Sequence, residues 1–155
     1  MNRLGSDRVL TTTRSVRRRL DLRRAVDSRI IQECIDIALQ APNGGNRGRY
    51  RFLVVADSAK RARVAEFYRK AWDDFLIPAR NTYSPGVFAS AAYLADHLHE
   101  VPIHVIPCVE GRVENEGLFG QATRYGSILP ATCSLMLALR HAWSGVGLDN
   151  AAPDI

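Results

Sequence analysis

The stretch "TTTRSVRRRLD" (11–21) crowds Arg14, Arg17, Arg18 and Arg19 around Ser15. A nucleic-acid arm, a phosphate-ester pocket and a solvated helix end would each call for arginine here. The other residues able to do chemistry are less pointed. His97 and His99 are two apart on an expected helix and so project about 200° apart, which keeps them from sharing a metal with His104. Glu110, Glu114 and Glu116 fall in an acidic loop without a paired environment and receive no acid/base role. There is no G-x-S-x-G elbow, no Walker loop and no strand-borne G-x-G-x-x-G. No catalytic side chain and no metal site is assigned.

Composition narrows the class. The chain has 155 residues, 46% hydrophobic and 24% charged, which suits one globular domain and is too apolar for a disordered one. No window reaches the roughly 18 consecutive apolar residues of a membrane span, and "MNRLGSDRVL" lacks the apolar core of a signal peptide. A cytoplasmic protein without membrane association is expected. Cys34, Cys108 and Cys133 are odd in number, far apart and set in apolar surroundings, so they read as buried thiols. The net charge of +5 invites a nucleic-acid partner. Yet only Lys60 and Lys70 among the 21 basic residues are lysine, and neither a helix-turn-helix nor aromatics interleaved with a basic strand are present. No nucleic-acid partner is expected.

Periodicity supplies the elements that must position these residues. A helix over 6–13 would be capped by Ser6 or Asp7 and turn Val9 and Leu10 inward. From Asp27, Ile31, Cys34, Ile35, Ala38 and Leu39 recur at helical spacing until "APNGG" ends the helix. "RFLVVA" (51–56) reads as a buried strand. Ser58 can cap a helix whose Val64, Phe67, Tyr68, Ala71, Trp72 and Phe75 make one face, core or subunit interface, until Pro78 stops it. A loop over 78–88, a helix over 88–99, a strand over 101–111 and a long apolar helix over 118–140 follow, the last interrupted at Pro130. Two strands make a poor independent sheet, so further strands are expected from a partner or from chain beyond this sequence.

Taken in order, "RSVRRRLD", "ALQAPNGGNRGRYRFLVV" (38–55), "VPIHVIPCV" and "SILPATCSLMLALR" resemble the nitroreductase family of FMN oxidoreductases, over residues 7–140. That family reads R-[RH]-S-[IVT]-R-x-[FL], then a helix, then A-P-[ST]-[GS]-x-N-x-Q-P-W-x-F into its first long strand. The resemblance implies an α+β fold: a three-layer α/β/α sandwich with a mixed, mainly antiparallel sheet, here incomplete at its C-terminal end. It implies that Arg14, Ser15 and Arg17 hold the FMN phosphate and ribityl chain, where a guanidinium fork and a hydroxyl supply charge-assisted donors. Arg18 and Arg19 have no counterpart in the motif. By the same resemblance Pro42, Asn43, Gly44 and Asn46 approach the flavin ring, and Ser127, Ile128 and Leu129 contact flavin across a homodimer. The family's Gln-Pro-Trp is here Gly48, Arg49 and Tyr50.

The activity so implied is transfer of electrons from NADH or NADPH through FMN to a nitroaromatic, quinone or similar small acceptor. Two other readings stand beside it: a flavin-binding protein without turnover, and a basic nucleic-acid-binding module.

The resemblance ends after "LALR", where the family continues R-G-L-G-[ST]-x-W-T-T-L-H-L. Here the text is "HAWSGVGLDNAAPDI" (141–155). Codons for this stretch, read one base out of phase, can encode R-G-L-G-S-A-W-T-T-L-H-L. A single-base frameshift near codons 140–141 is therefore expected, dividing the chain into a partial FMN-binding domain (1–140) and an unrelated tail (141–155). The chain from Ala142 would then pack poorly, and FMN binding and activity would be weak or lost.

Overall fold

The computed structural model describes residues 5–144, so most of the 141–155 tail lies outside the described residues. The described residues divide into two compact units, 5–14, 27–53 and 106–144 in one, 15–26 and 54–105 in the other.

In the first unit, α1 (Ser6–Thr12), α2 (Ser28–Ala38) and α5 (Leu118–Ser144) carry the packing. The Asp27 carboxylate accepts the Arg29 backbone N–H at 2.9 Å, which satisfies one of the free donors at the start of α2. The Arg29 side chain also hydrogen-bonds this carboxylate and holds it below the usual range for an aspartate. Spacing at i, i+3, i+4 and i+7 puts Ile31, Cys34, Ile35 and Ala38 on one buried face, which packs along α5. Ile128 and Ala131 of α5 join Ala41 and Tyr50 in one cluster, with Phe52 and Val109 against it. Each large apolar side chain so buried contributes about 1.5–3 kcal/mol.

α5 runs unbroken through Pro130, contrary to the expected interruption. Pro130 removes one ladder donor, but Ile128, Ala131 and Leu135 on either side of it are buried. Tertiary burial of that face outweighs the local cost of the ring, about 3 kcal/mol. The helix also continues past Arg140, with Ala142 and Trp143 half-buried; the rest of the tail, for which poor packing was expected, lies outside the described residues.

β1 (Tyr50–Val55) and β2 (His104–Val109) form the sheet of the described residues. The Glu110 N–H donates to Arg49 O at 3.0 Å, and Arg51 pairs with Glu110 at 2.6 Å, which fixes an antiparallel register. The larger mixed sheet is thus not what these residues build. The chain between the strands is spent on helices, and no third extended run exists among the described residues to pair with either edge. β1 is also less buried than its sequence implied: Tyr50 and Val55 are buried while Leu53 and Val54 are exposed.

In the second unit, α3 (Ser58–Ala71) is capped by Asp57, whose carboxylate accepts the Lys60 N–H at 2.9 Å; Ser58 is already helical. A π turn (Trp72–Leu76) continues it. α4 (Pro85–His97) starts three residues before the expected 88, because Pro85 suits the first helical position. Trp72 is buried and lies against Phe88, with ring centroids 4.9 Å apart and planes tilted by 40°. Arg69 binds Asp96 at 2.5 Å and Ala95 O at 2.8 Å, joining α3 to α4. The aromatic face of α3 is only partly core: Phe67 is 66% and Phe75 72% exposed. Of the cysteines, Cys34 is buried, Cys108 is half-buried and Cys133 is exposed. Leu10, expected inward, is exposed as well, since the short α1 buries only Val9.

Candidate functional site

The turn-rich segment after α2 folds back as a single 3-10 turn, Gly44–Asn46. Its backbone takes positive φ at Gly45 (65°), Asn46 (51°) and Gly48 (55°). Glycine at two of these positions, and asparagine at the third, are the residues that adopt this conformation at least cost. The Asn43 side-chain carbonyl accepts the Gly48 N–H at 3.0 Å and so closes the loop on itself. The Gly44 N–H donates to Ser127 Oγ at 2.9 Å, and Ser127 Oγ donates to Thr123 O at 2.7 Å. The loop is thereby fastened to α5.

Between the loop and the first turns of α5 lies a cleft of about 570 Å³, within the range of roughly 300–1,000 Å³ usual for small-molecule sites. Asn43, Gly44, Gly45, Arg47, Gly48 and Arg49 line it from the loop, and Glu116, Phe119, Gly120, Thr123, Arg124 and Ser127 from the helix side. The helix contributors recur at three and four residues, the spacing that puts them on one face. Of that face only Ser127 was selected from the sequence, although Gly120, Thr123 and Arg124 recur with it at helical spacing.

The acidic loop before α5 is paired, contrary to the sequence expectation. Arg124 donates to Glu110 O at 2.8 Å and to Glu116 Oε1 at 2.5 Å, with its side chain only 17% exposed. Gln121 Nε2 adds a bond to Glu116 O at 2.8 Å. These contacts seat the loop 110–117 on the helix. The side chains of Arg47 and Arg49, by contrast, make no hydrogen bond or ion pair among the described residues.

The residues singled out from the sequence fare differently. Asn43, Gly44 and Ser127 come together at the cleft, while Pro42 and Asn46 are exposed on the same loop. Ser127, Ile128 and Leu129 are successive residues of α5 and so point about 100° apart. Ser127 faces the cleft, Ile128 is buried in the core cluster, and Leu129 is exposed. Ile128 retains 7% exposure in the single chain. Arg14 and Ser15 are exposed and Arg17 half-buried in the segment after α1, where Arg14 Nη1 bonds Thr13 O at 2.9 Å.

A model of the nitroreductase family matches residues 10–142. Among solved structures, the nitroreductase-like family protein from Bacillus cereus aligns with a TM-score of 0.62 at 16% identity, over 97% of this chain and 81% of that one. Iodotyrosine deiodinase, solved with FMN and 3-iodo-L-tyrosine bound, gives 0.62 at 16% identity over 86% and 68%. A mutant of an FMN- and NADPH-dependent nitroreductase from sphigopyxis sp. strain HMH gives 0.54 at 20% identity over 86% and 70%. No curated protein sequence matches the chain. At such identities the structural likeness speaks to the fold alone, whereas the family model spans most of the described residues. By that match, and with the α+β fold the structures share, the chain is a member of the nitroreductase family.

Proposed function

We propose that the chain is an FMN-dependent oxidoreductase that passes electrons from NADH or NADPH to a small acceptor such as a nitroaromatic or a quinone. The observation that carries the reading is the glycine loop tied to α5 through Gly44 and Ser127 beside a cleft of suitable volume. The donor set fits the cofactor. Arg14, Ser15 and Arg17 present two guanidinium groups and a hydroxyl within four residues, which suits a phosphate. The loop of Pro42, Asn43, Gly44 and Asn46 offers close backbone approach, which suits a heteroaromatic ring with a polar edge.

FMN, when bound, supplies the redox chemistry by taking a hydride from the nicotinamide and returning two electrons to the acceptor. The chain's own residues bind and orient. Arg14, Ser15 and Arg17 would neutralise the phosphate. Ser127 is a positioning residue: it fixes Gly44 and hence the loop face a ring would meet. No nucleophile or general base is required for such a sequence.

We further propose a homodimer as the working form. Phe67 and Phe75 of the second unit, and Leu118 and Leu129 of α5, leave large apolar side chains exposed, the kind of surface that subunit association covers. Sedimentation of a flavin-loaded monomer would overturn the dimer. The division at residue 140 is likewise a proposal. It fails if moving the reading frame of the gene after codon 140 opens no continuation through W-T-T.

The visible spectrum of the purified protein, with NADH and NADPH oxidation in the presence of an acceptor, tests the function. Flavin absorbance with acceptor-dependent oxidation is the expected result. Colour without turnover would favour a flavin-binding protein, and a colourless protein held on nucleic acid in a salt-dependent way would sink the reading.

A further inference from the structure

The four arginines around the glycine loop are not alike. Arg51 pairs with Glu110 at 2.6 Å and Arg124 with Glu116 at 2.5 Å. Arg47 and Arg49 line the cleft with no counter-charge among the described residues. Of the charged groups on the cleft wall, Arg124 and Glu116 cancel, so Arg47 and Arg49 leave it with two positive charges.

Two like charges two residues apart, on a concave surface, repel one another and focus a positive potential. An anion between them relieves that repulsion. Phe119 also stands in the cleft wall, 86% exposed, and offers an aromatic face to a planar ligand. The Gly44–Ser127 bond holds the loop in place, so the site need not be ordered anew on binding.

We infer that this cleft binds an aryl carboxylate, with Arg47 and Arg49 holding the carboxylate and Phe119 packing on the ring. Anionic aromatic acceptors are thereby preferred to neutral ones. That the anion is an electron acceptor rests on the reading of the chain as an FMN oxidoreductase; that the cleft binds it does not. Arg47 and Arg49 are specificity residues on this view, and both are exposed, so their replacement leaves the packing intact.

The test has two arms. Calorimetric titration with benzoate, at low salt and with no electron donor, measures the site itself. The ratio of kcat/KM for 4-nitrobenzoate to that for nitrobenzene measures its use. The wild-type protein should bind benzoate, weaken as salt rises, and favour 4-nitrobenzoate about tenfold, the scale of one charge-assisted bond at an open site. The double variant Arg47→Gln, Arg49→Gln should lose both the binding and the preference. Arg112→Gln, which alters an exposed arginine outside the cleft, should keep both. A coloured, active protein with no carboxylate preference would overturn this inference and leave the oxidoreductase reading standing. A colourless protein that binds benzoate through these arginines would do the reverse. A double variant that loses FMN affinity while keeping the carboxylate preference would also overturn it, since the arginines would then serve the cofactor.

Discussion

Gly44 and Ser127 are 83 residues apart in sequence, yet the backbone N–H of one donates to the hydroxyl of the other at 2.9 Å. The contact is close as well as polar. A methyl group at Gly44 would stand 2.5 Å from Thr123 Cγ2 and 3.4 Å from Ser127 Oγ. Loop and helix meet so closely that Thr123 would have to shift to admit a side chain at position 44.

Gly44→Ala should therefore cost about 1–3 kcal/mol, the usual penalty for overpacking a fitted contact. Ser127→Ala should cost about 1 kcal/mol by removing the acceptor of the loop amide. Urea denaturation measures both. Equal stability of Gly44→Ala and wild type would show that the loop does not depend on this approach.

Arg124 fastens the acidic loop to α5 with two charge-assisted bonds. Arg124→Ala should destabilise by about 2 kcal/mol and expose the Glu110–Gly117 backbone to hydrogen exchange. Arg124→Lys cannot span both partners and should fall between the two. If the lysine variant matched wild type, the charge alone would be sufficient.

In the phosphate reading, Arg17 differs from its neighbour Arg18. Arg17→Ala should weaken FMN binding about 10- to 150-fold, the loss of one bond to a charged group. Arg18→Ala, outside the motif, should change it little. Comparable losses at both positions, by flavin fluorescence titration, would mean that the arginines act as a diffuse basic patch.

Cys34 is buried on the packed face of α2, and burial pushes its thiol pKa up. The neutral thiol is favoured in the folded chain, so the group's contribution to stability is complete below the ordinary thiol value and lost as pH rises through the raised one. A thiol-exchange reagent at neutral pH should modify exposed Cys133 first and Cys34 only on unfolding. Rapid modification of Cys34 in the native protein, read by peptide mass mapping, would contradict its burial.

Local pattern determined much of this protein. The helical recurrence of Ile31, Cys34, Ile35 and Ala38 marks a buried face because one side of a helix repeats every 3.6 residues, and that face is the one packed on α5. The arginine–serine motif, the Ala-Pro-Asn-Gly-Gly loop and the later strand and helix segments resemble the nitroreductase family by their order and spacing, and the family model matches residues 10–142. What the sequence left open were the properties that depend on distant partners. Pro130 argued for a break, and the helix runs through it because the flanking Ile128, Ala131 and Leu135 are buried. Glu116 read as an unpaired loop carboxylate until the fold brought Arg124 to it. Ile128 belonged to a contact motif in the sequence, but helix geometry turned it into the core and left Ser127 at the cleft. The cleft itself joins residues 43–49 to 116–127. No local rule spans that separation: the fold brought Glu110 to Arg51 and Glu116 to Arg124 and left the side chains of Arg47 and Arg49 on the cleft wall without a counter-charge among the described residues.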